Sequence, residues 1–150
     1  MTKENNSILV FEYFTASGEN DKCIISEAEA LIISLLDDLK EFDVSLVINE
    51  SYKNIAEGYD NVNAISINQD VVSWLKYNAG NFNKAIFISA ENDNNLYNIT
   101  KILEENDVKI YNSSSEACLV ASDKYETYEA LPSDIPQPRS FKFKIDPKGY

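Results

Sequence analysis

Six residues carry the side chains or backbone groups that we expect to contact a ligand, and four of them lie close together near the N-terminus. Glu12 is an acid near the end of an apolar run, where it suits recognition of a ligand cation such as an amino-acid ammonium. The alternative is an acid at a strand end that reaches solvent or pairs with a lysine. Thr15, Ser17 and Gly18 offer hydroxyls and backbone amides to a ligand, and a plain turn explains them equally well.

Glu91 and Lys124 complete the set. Glu91 begins an acidic and amide run, 91–93, at another predicted strand end, and these side chains either contact a substrate or cap the following helix, which is the simpler explanation. Lys124 follows Asp123 and suits a phosphate group as a point charge, although an exposed helical lysine ordinarily has no such role. Glycine motifs for dinucleotides or P-loop phosphates do not occur, and no spacing predicts a metal cluster.

Composition excludes several classes of function. The 150 residues contain 25 acids, 13 Lys and Arg and no histidine, which gives a net charge of −12. This charge argues against binding to nucleic acid or to an anionic membrane, because both need clustered basic residues. Without histidine, serine–histidine and cysteine–histidine catalysis and imidazole metal sites are excluded. Cys23 and Cys118 have no ligand spacing and are predicted to be reduced, partly buried thiols in a cytoplasmic protein.

Apolar runs of strand length alternate with helical patterns along the chain. The S-x-x-E pair Ser26 and Glu29 predicts a capping box that opens the first helix, and residues 15–18 predict a tight, exposed loop. Alternating strands and helices indicate βαβ units and therefore an α/β fold, a three-layer Rossmann-like sandwich with a mainly parallel sheet of about five strands. The predicted strands are 7–13, 44–48, 63–67, 84–89 and 108–111.

Ligands of such folds bind beyond the carboxyl ends of the strands, where the strand order reverses. Two predicted loops leave strand ends of this kind, 12–18 after the first strand and 90–93 after the fourth. They contain five of the six candidate residues.

The character of the chain changes after Asn112. We predict one domain over 1–112, a helical connector over 113–131 that is opened by Ser113 and Glu116, and a proline-rich linker followed by a strand over 132–150. The strand is expected at 139–145, where apolar and basic residues alternate, and we expect it to be the first strand of a second, truncated domain.

The connector resembles the segment that joins the pre-ATP-grasp domain to the nucleotide-binding part of ATP-grasp ligases. In those ligases small residues and a short helix precede a Ser/Thr/Gly-Asp-Lys step, which matches Ser122-Asp123-Lys124 here. The stretches 11–18, 26–39 and 89–106 are similar to one archaeal branch, the ligases that join the γ-carboxylate of L-glutamate to tyramine in methanofuran biosynthesis. That branch often has a proline before the acid at Glu91, whereas Ala90 stands here.

The resemblance implies a pre-ATP-grasp domain and a reaction that uses ATP and Mg²⁺ to make an acyl phosphate, which an amine then attacks. It places Lys124 near the ATP phosphates, and Glu12, Thr15, Ser17, Gly18 and Glu91 near the substrates, L-glutamate and tyramine. The lid lysine, glycine-rich loop and Mg²⁺ carboxylates of the family have no match in the 150 residues, so we expect this chain alone to be inactive.

Two alternatives remain open at this stage. The chain could be a free-standing α/β module that binds a small molecule or has a regulatory role. It could also belong to a ligase of the same superfamily that uses another acceptor amine. A homodimer through an apolar helix face is compatible with either function.

Overall fold

The sheet is built from five strands with helices on both of its faces, as the computed structural model shows for residues 5–143. The strands are β1 (Asn5–Glu12), β2 (Val44–Asn49), β3 (Val62–Ile67), β4 (Phe82–Ile88) and β5 (Lys109–Ile110). The helices are α1 (Tyr13–Ser17), α2 (Lys22–Asp38), α3 (Val71–Asn78), α4 (Asn95–Glu105), α5 (Ser115–Ser122) and α6 (Lys124–Ala130). Short 3₁₀ segments lie at Glu50–Ala56, Ala79–Asn81 and Asn92–Asn94. The predicted α/β fold is confirmed.

All strand pairs are parallel, and the strand order is β3-β2-β1-β4-β5. The chain builds outward from β1 to β3 on one side, then returns to add β4 and β5 on the other. The order therefore reverses between β1 and β4, and at their carboxyl ends Glu12 lies opposite Ile88. A crevice at such a reversal is where open α/β sheets bind ligands.

Each face of the sheet has its own core, because successive side chains of a strand point to opposite faces. Leu9 and Phe11 pack beneath α3 and α4, and the Phe11 ring stacks on Phe87 with centroids 5.2 Å apart. Ile8 and Val10 pack on the other face beneath α2. Glu12 continues the second series, so its side chain starts on the α2 side of the sheet.

Two predicted helix starts differ from the structure. Helix α2 begins at Lys22, where the Asp21 carboxylate accepts from the Cys23 amide at 2.8 Å, so the predicted capping box at Ser26 and Glu29 is wrong. Asp21 offers the same kind of cap one turn earlier, and the apolar positions that follow allow the helix to start there. In the connector, the cap of α5 is Ser114 instead of the predicted Ser113.

The segment after α6 contains no regular secondary structure as far as residue 143. The predicted strand 139–145 is therefore absent from 139–143, and its last two residues lie outside the described part of the chain. Among those described residues, Lys142 pairs instead with Asp123 and Glu126, at 3.6 and 3.5 Å. The division into 1–112, 113–131 and 132–150 stays a prediction.

Both cysteines are free, as predicted, but Cys23 is exposed and only Cys118 is buried. Within residues 5–143, none of the helices combines the length and the apolar character needed to cross a bilayer.

Gly18 ends α1 in a backbone conformation that only glycine adopts easily, with φ of +78°. A Cβ atom there would lie 2.7 Å from Asn49 Nδ2. We expect Gly18→Ala to lower the free energy of unfolding by about 2 kcal/mol or more, from the left-handed φ and the clash together. Urea denaturation measures this change.

Gly58→Ala is the matched control. Gly58 has a φ of +98°, yet nothing lies within 4 Å of its added Cβ. The free energy of unfolding of Gly58→Ala should therefore fall only by the cost of the left-handed φ, about 1 kcal/mol. Equal losses in the two variants would show that the Asn49 side chain moves away at no cost.

Candidate functional site

The Glu12 carboxylate caps helix α1. Its Oε1 accepts from the Phe14 amide at 3.0 Å, and its Oε2 accepts from the Thr15 amide at 2.8 Å. The side chain is 2% exposed, and no ion pair of the described residues includes it. Neither alternative from the sequence included this capping role. Glu12 is almost completely shielded from solvent and pairs with no lysine among the described residues, so the alternative of a solvent-exposed or lysine-paired acid is wrong. Its oxygens bind the amides and the Thr15 hydroxyl of the turn that follows.

The predicted exposed loop over 15–18 is therefore wrong. Residues 13–17 form a helical turn because the Glu12 carboxylate accepts from two amides that would otherwise lack partners. Thr15 and Ala16 are fully buried, and the Thr15 hydroxyl lies 3.0 Å from both Glu12 O and Glu12 Oε2. Thr15 thus holds Glu12 in place instead of facing a ligand in this conformation.

Ser17 and Gly18 differ in whether their polar groups already have a hydrogen-bond partner. The Gly18 amide donates to Phe14 O at 3.0 Å and so is committed to closing the helix. The Ser17 hydroxyl oxygen is buried without a hydrogen-bond partner, and among the described residues Asn112 Oδ1 is the other such side-chain atom. Asn112 donates from Nδ2 to Phe87 O at 3.0 Å, just beyond the end of β5. Both unpartnered atoms thus lie in segments that follow the carboxyl ends of strands.

The loop after β4 contains Glu91, which is exposed. Asp93 and Asn94 both adopt left-handed conformations there, with φ of 55° and 58°. Two of the side chains predicted to cap α4, those of Glu91 and Asp93, make none of the described hydrogen bonds, and Asn94 in the cap position makes no cap bond. The two left-handed residues turn the chain sharply into α4.

A pocket of about 410 Å³ lies between α2 and the carboxyl ends of β1 and β4. It brings Glu12 together with the start of the loop that carries Glu91. Most of its walls are apolar, and no basic residue lines it. The lining residues are Glu12, Phe14, Ile24, Glu27, Ala28, Leu31, Ile88, Ser89 and Ala90.

Lys124 lies away from that pocket, as the exposed first residue of α6. The preceding Asp123 caps α6, and the backbone N–H groups of Glu126 and Tyr125 hold the pKa of its carboxyl below the ordinary value. Lys142 lies beside the same turn, with its Nζ 5.5 Å from the centre of the Tyr125 ring. A second cation therefore lies near Lys124.

Sequence reasoning missed Ile24, Glu27 and Leu31 as lining residues of the pocket. They occur at spacings of three and four, which places them on one face of α2. The signal available was two large aliphatic residues flanking an acid on the helix face next to that of Ile32 and Leu36. The hydrophobic pattern of α2 draws attention to the buried side instead.

Comparison with known proteins adds two ligases and one solved structure. No family model matches the chain. The chain is 35% identical over 148 residues to tyramine–L-glutamate ligase of Methanocaldococcus fervens, covering 95% of this chain and 50% of that protein. It is also 35% identical over 152 aligned positions to the ligase of the same name from Methanocaldococcus jannaschii, covering 95% and 47%. The resemblance to the ATP-grasp ligases is confirmed.

The fold agrees with this resemblance. A crystal structure described as an ATP-grasp superfamily protein from Archaeoglobus fulgidus superposes with a TM-score of 0.71, over 90% of this chain and 42% of that one. Its sequence is 21% identical, so this likeness concerns the fold alone. The chain spans about half the length of the two ligases that it matches.

Proposed function

We propose that the chain is the N-terminal part of an ATP-dependent carboxylate–amine ligase that joins the γ-carboxylate of L-glutamate to tyramine. The observation that carries the proposal is the similarity to two proteins of that name over 95% of this chain. In the proposed reaction, ATP phosphorylates the γ-carboxylate and leaves as ADP. The tyramine ammonium loses a proton to solvent, and the neutral nitrogen attacks the acyl carbon, displaces phosphate and releases a second proton as the amide forms. We also propose a cytoplasmic location for the protein.

The structure supports a substrate-binding role at the reversal between β1 and β4. Glu12 and Thr15 act there as positioning residues, because their hydrogen bonds fix the turn that carries Ser17 and Gly18. Ser17 has an unpartnered hydroxyl suited to a substrate, and Glu91 is an exposed acid at the end of the neighbouring strand. We assign substrate contact to Ser17 and Glu91, and support of the site to Glu12, Thr15 and Gly18.

Lys124 is proposed to contact the phosphates of ATP. An exposed lysine at the start of a helix, with a second cation nearby, provides positive charge without a competing acid bonded to its amine among the described contacts. ATP supplies the phosphoryl group that makes the carboxylate reactive.

The described residues form no preformed site for a magnesium ion. Among residues 5–143 no three acidic or cysteine side chains are grouped closely enough to hold a metal ion. We therefore assign no step to a metal held by these residues.

The proposal is tested on the protein as its whole gene encodes it. We expect incubation with ATP, Mg²⁺, L-glutamate and tyramine to yield γ-glutamyltyramine, ADP and phosphate, with the mass and fragmentation pattern identifying the amide and its position. Omitting either tyramine or ATP should abolish the product. If another amine is ligated in place of tyramine, the ligase assignment stands and the acceptor is wrong. If no amine is ligated, the alternative of a small-molecule-binding module replaces the enzyme.

A further inference from the structure

We propose that the pocket between α2 and β4 binds the acceptor amine, with Glu27 holding its ammonium group and an apolar wall holding its hydrocarbon body. The inference rests on the proposed function in taking tyramine as the amine. Glu27 is then the acid that determines specificity for a cationic acceptor.

The walls of the pocket suit an aryl or alkyl chain. Ile24 and Leu31 line it from α2, and Ile88 lines it from β4. Ile24 and Leu31 are 37% and 41% exposed, so they retain apolar surface that a ligand would remove from water. Ala28 and Ala90 are small and leave room between the two sides. The volume of about 410 Å³ lies within the range of pockets that enclose small organic ligands.

The charge of the pocket favours a cation. Its lining includes two glutamates, Glu12 and Glu27, and no lysine or arginine. A carboxylate buried as deeply as Glu12 is costly without a balancing positive charge, even when hydrogen-bonded. A ligand ammonium in the pocket would supply that charge, whereas an anionic ligand would be repelled by both acids.

The two glutamates differ in what they can still bind. Glu12 Oε2 accepts from the amide and hydroxyl of Thr15, and Oε1 accepts from the Phe14 amide. Glu27 is exposed, and its side chain takes part in none of the hydrogen bonds or ion pairs found among residues 5–143. Glu27 is therefore the carboxylate with both oxygens free for an ammonium. Glu12 adds negative charge to the pocket lining, while its own oxygens bind Phe14 and Thr15.

Calorimetry with tyramine alone, on the whole-gene protein, tests the charge. We expect Glu27→Gln to weaken tyramine binding about three- to tenfold, and high salt to reduce the difference. Glu29→Gln is the matched control, because it removes the same charge from α2 at a position that does not line the pocket, and it should change the affinity less than twofold. Binding of 4-ethylphenol, which keeps the ring and lacks the amine, should be unchanged by Glu27→Gln.

A second pair of variants tests the apolar wall. Leu31→Ala should weaken both tyramine and 4-ethylphenol about three- to tenfold. Ile33→Ala is the control, since Ile33 is also 41% exposed on α2 but does not line the pocket. Both variants alter exposed residues, so thermal melting should confirm that each remains folded.

The outcomes separate this inference from the proposed function. Equal effects of Glu27→Gln and Glu29→Gln, or no tyramine binding by the unaltered protein, would overturn the pocket assignment. Ligation of tyramine with a KM unchanged by Glu27→Gln and Leu31→Ala would overturn it too, while leaving the ligase intact. Tyramine binding that depends on Glu27 in a protein that ligates no amine would uphold the pocket and reject the proposed reaction.

Discussion

Glu12→Ala is expected to lower the free energy of unfolding by about 2–4 kcal/mol, the largest stability effect predicted for this chain. The substitution leaves the buried amide of Thr15 and the partly buried amide of Phe14 without their acceptor, and an unsatisfied buried donor costs about 1–3 kcal/mol. Loss of the helix cap is part of the same cost. Urea denaturation followed by circular dichroism measures the change, with the slope of the transition checked for constancy.

Two further variants decide what Glu12 does. Glu91→Ala removes an exposed acid at the same edge of the sheet and should change the free energy of unfolding by less than about 0.5 kcal/mol. Glu12→Gln keeps one acceptor oxygen but presents an amide donor to a second N–H, so it should lose about 1–3 kcal/mol. Unchanged stability in Glu12→Ala, together with a raised KM for a substrate, would contradict the capping role and favour direct recognition of the ligand.

Lys124→Met is expected to lower kcat/KM for ATP about 10- to 100-fold in the ligation assay, which corresponds to about 1.4–2.7 kcal/mol of transition-state stabilisation. The proposed reason is loss of a positive charge beside the transferred phosphates. The side chain is exposed, so thermal stability should not change. Initial rates over a range of ATP concentrations give the measurement.

Lys22→Met is a closely matched control for that substitution. Lys22 and Lys124 are both exposed, and each is the first residue of a helix whose cap is the preceding aspartate. Lys22→Met should leave kcat/KM for ATP within twofold of the unaltered protein. A comparable loss in both variants would trace the effect to overall charge, and no loss in Lys124→Met would remove Lys124 from the ATP site.

Much of the fold is predictable because apolar patterning and burial coincide. The apolar runs at 44–48 and 84–89 become β2 and β4, and the helical spacing of Ile99 and Leu103 places both residues in the core. The location of the site at two strand ends also follows from the βαβ order. In such sheets ligands bind at the carboxyl ends of the strands, where the strand order reverses.

The local structure of the site was harder to predict. Small residues after Glu12 are typical of a loop, and glutamate is not a favoured N-cap, so the sequence gives little sign of the helical turn at 13–17. Glu27 lies on the exposed side of α2, where an acid is ordinarily only a solubilising residue. Glu27 can line a pocket only because the end of β4 lies opposite it in the folded protein. That contact depends on tertiary structure and cannot be predicted from the pattern of α2 alone.

The central position of β1 has a consequence for how the chain folds as it is synthesised. β1 is made first, yet its neighbour β4 begins about 70 residues later. At about 5–20 residues per second, one edge of this apolar strand has no native partner for roughly 4–14 s on the ribosome. An open edge of that kind can pair with another nascent chain. We therefore expect substitutions that weaken β4 to reduce the yield of folded protein through aggregation, more than their effect on equilibrium stability would suggest.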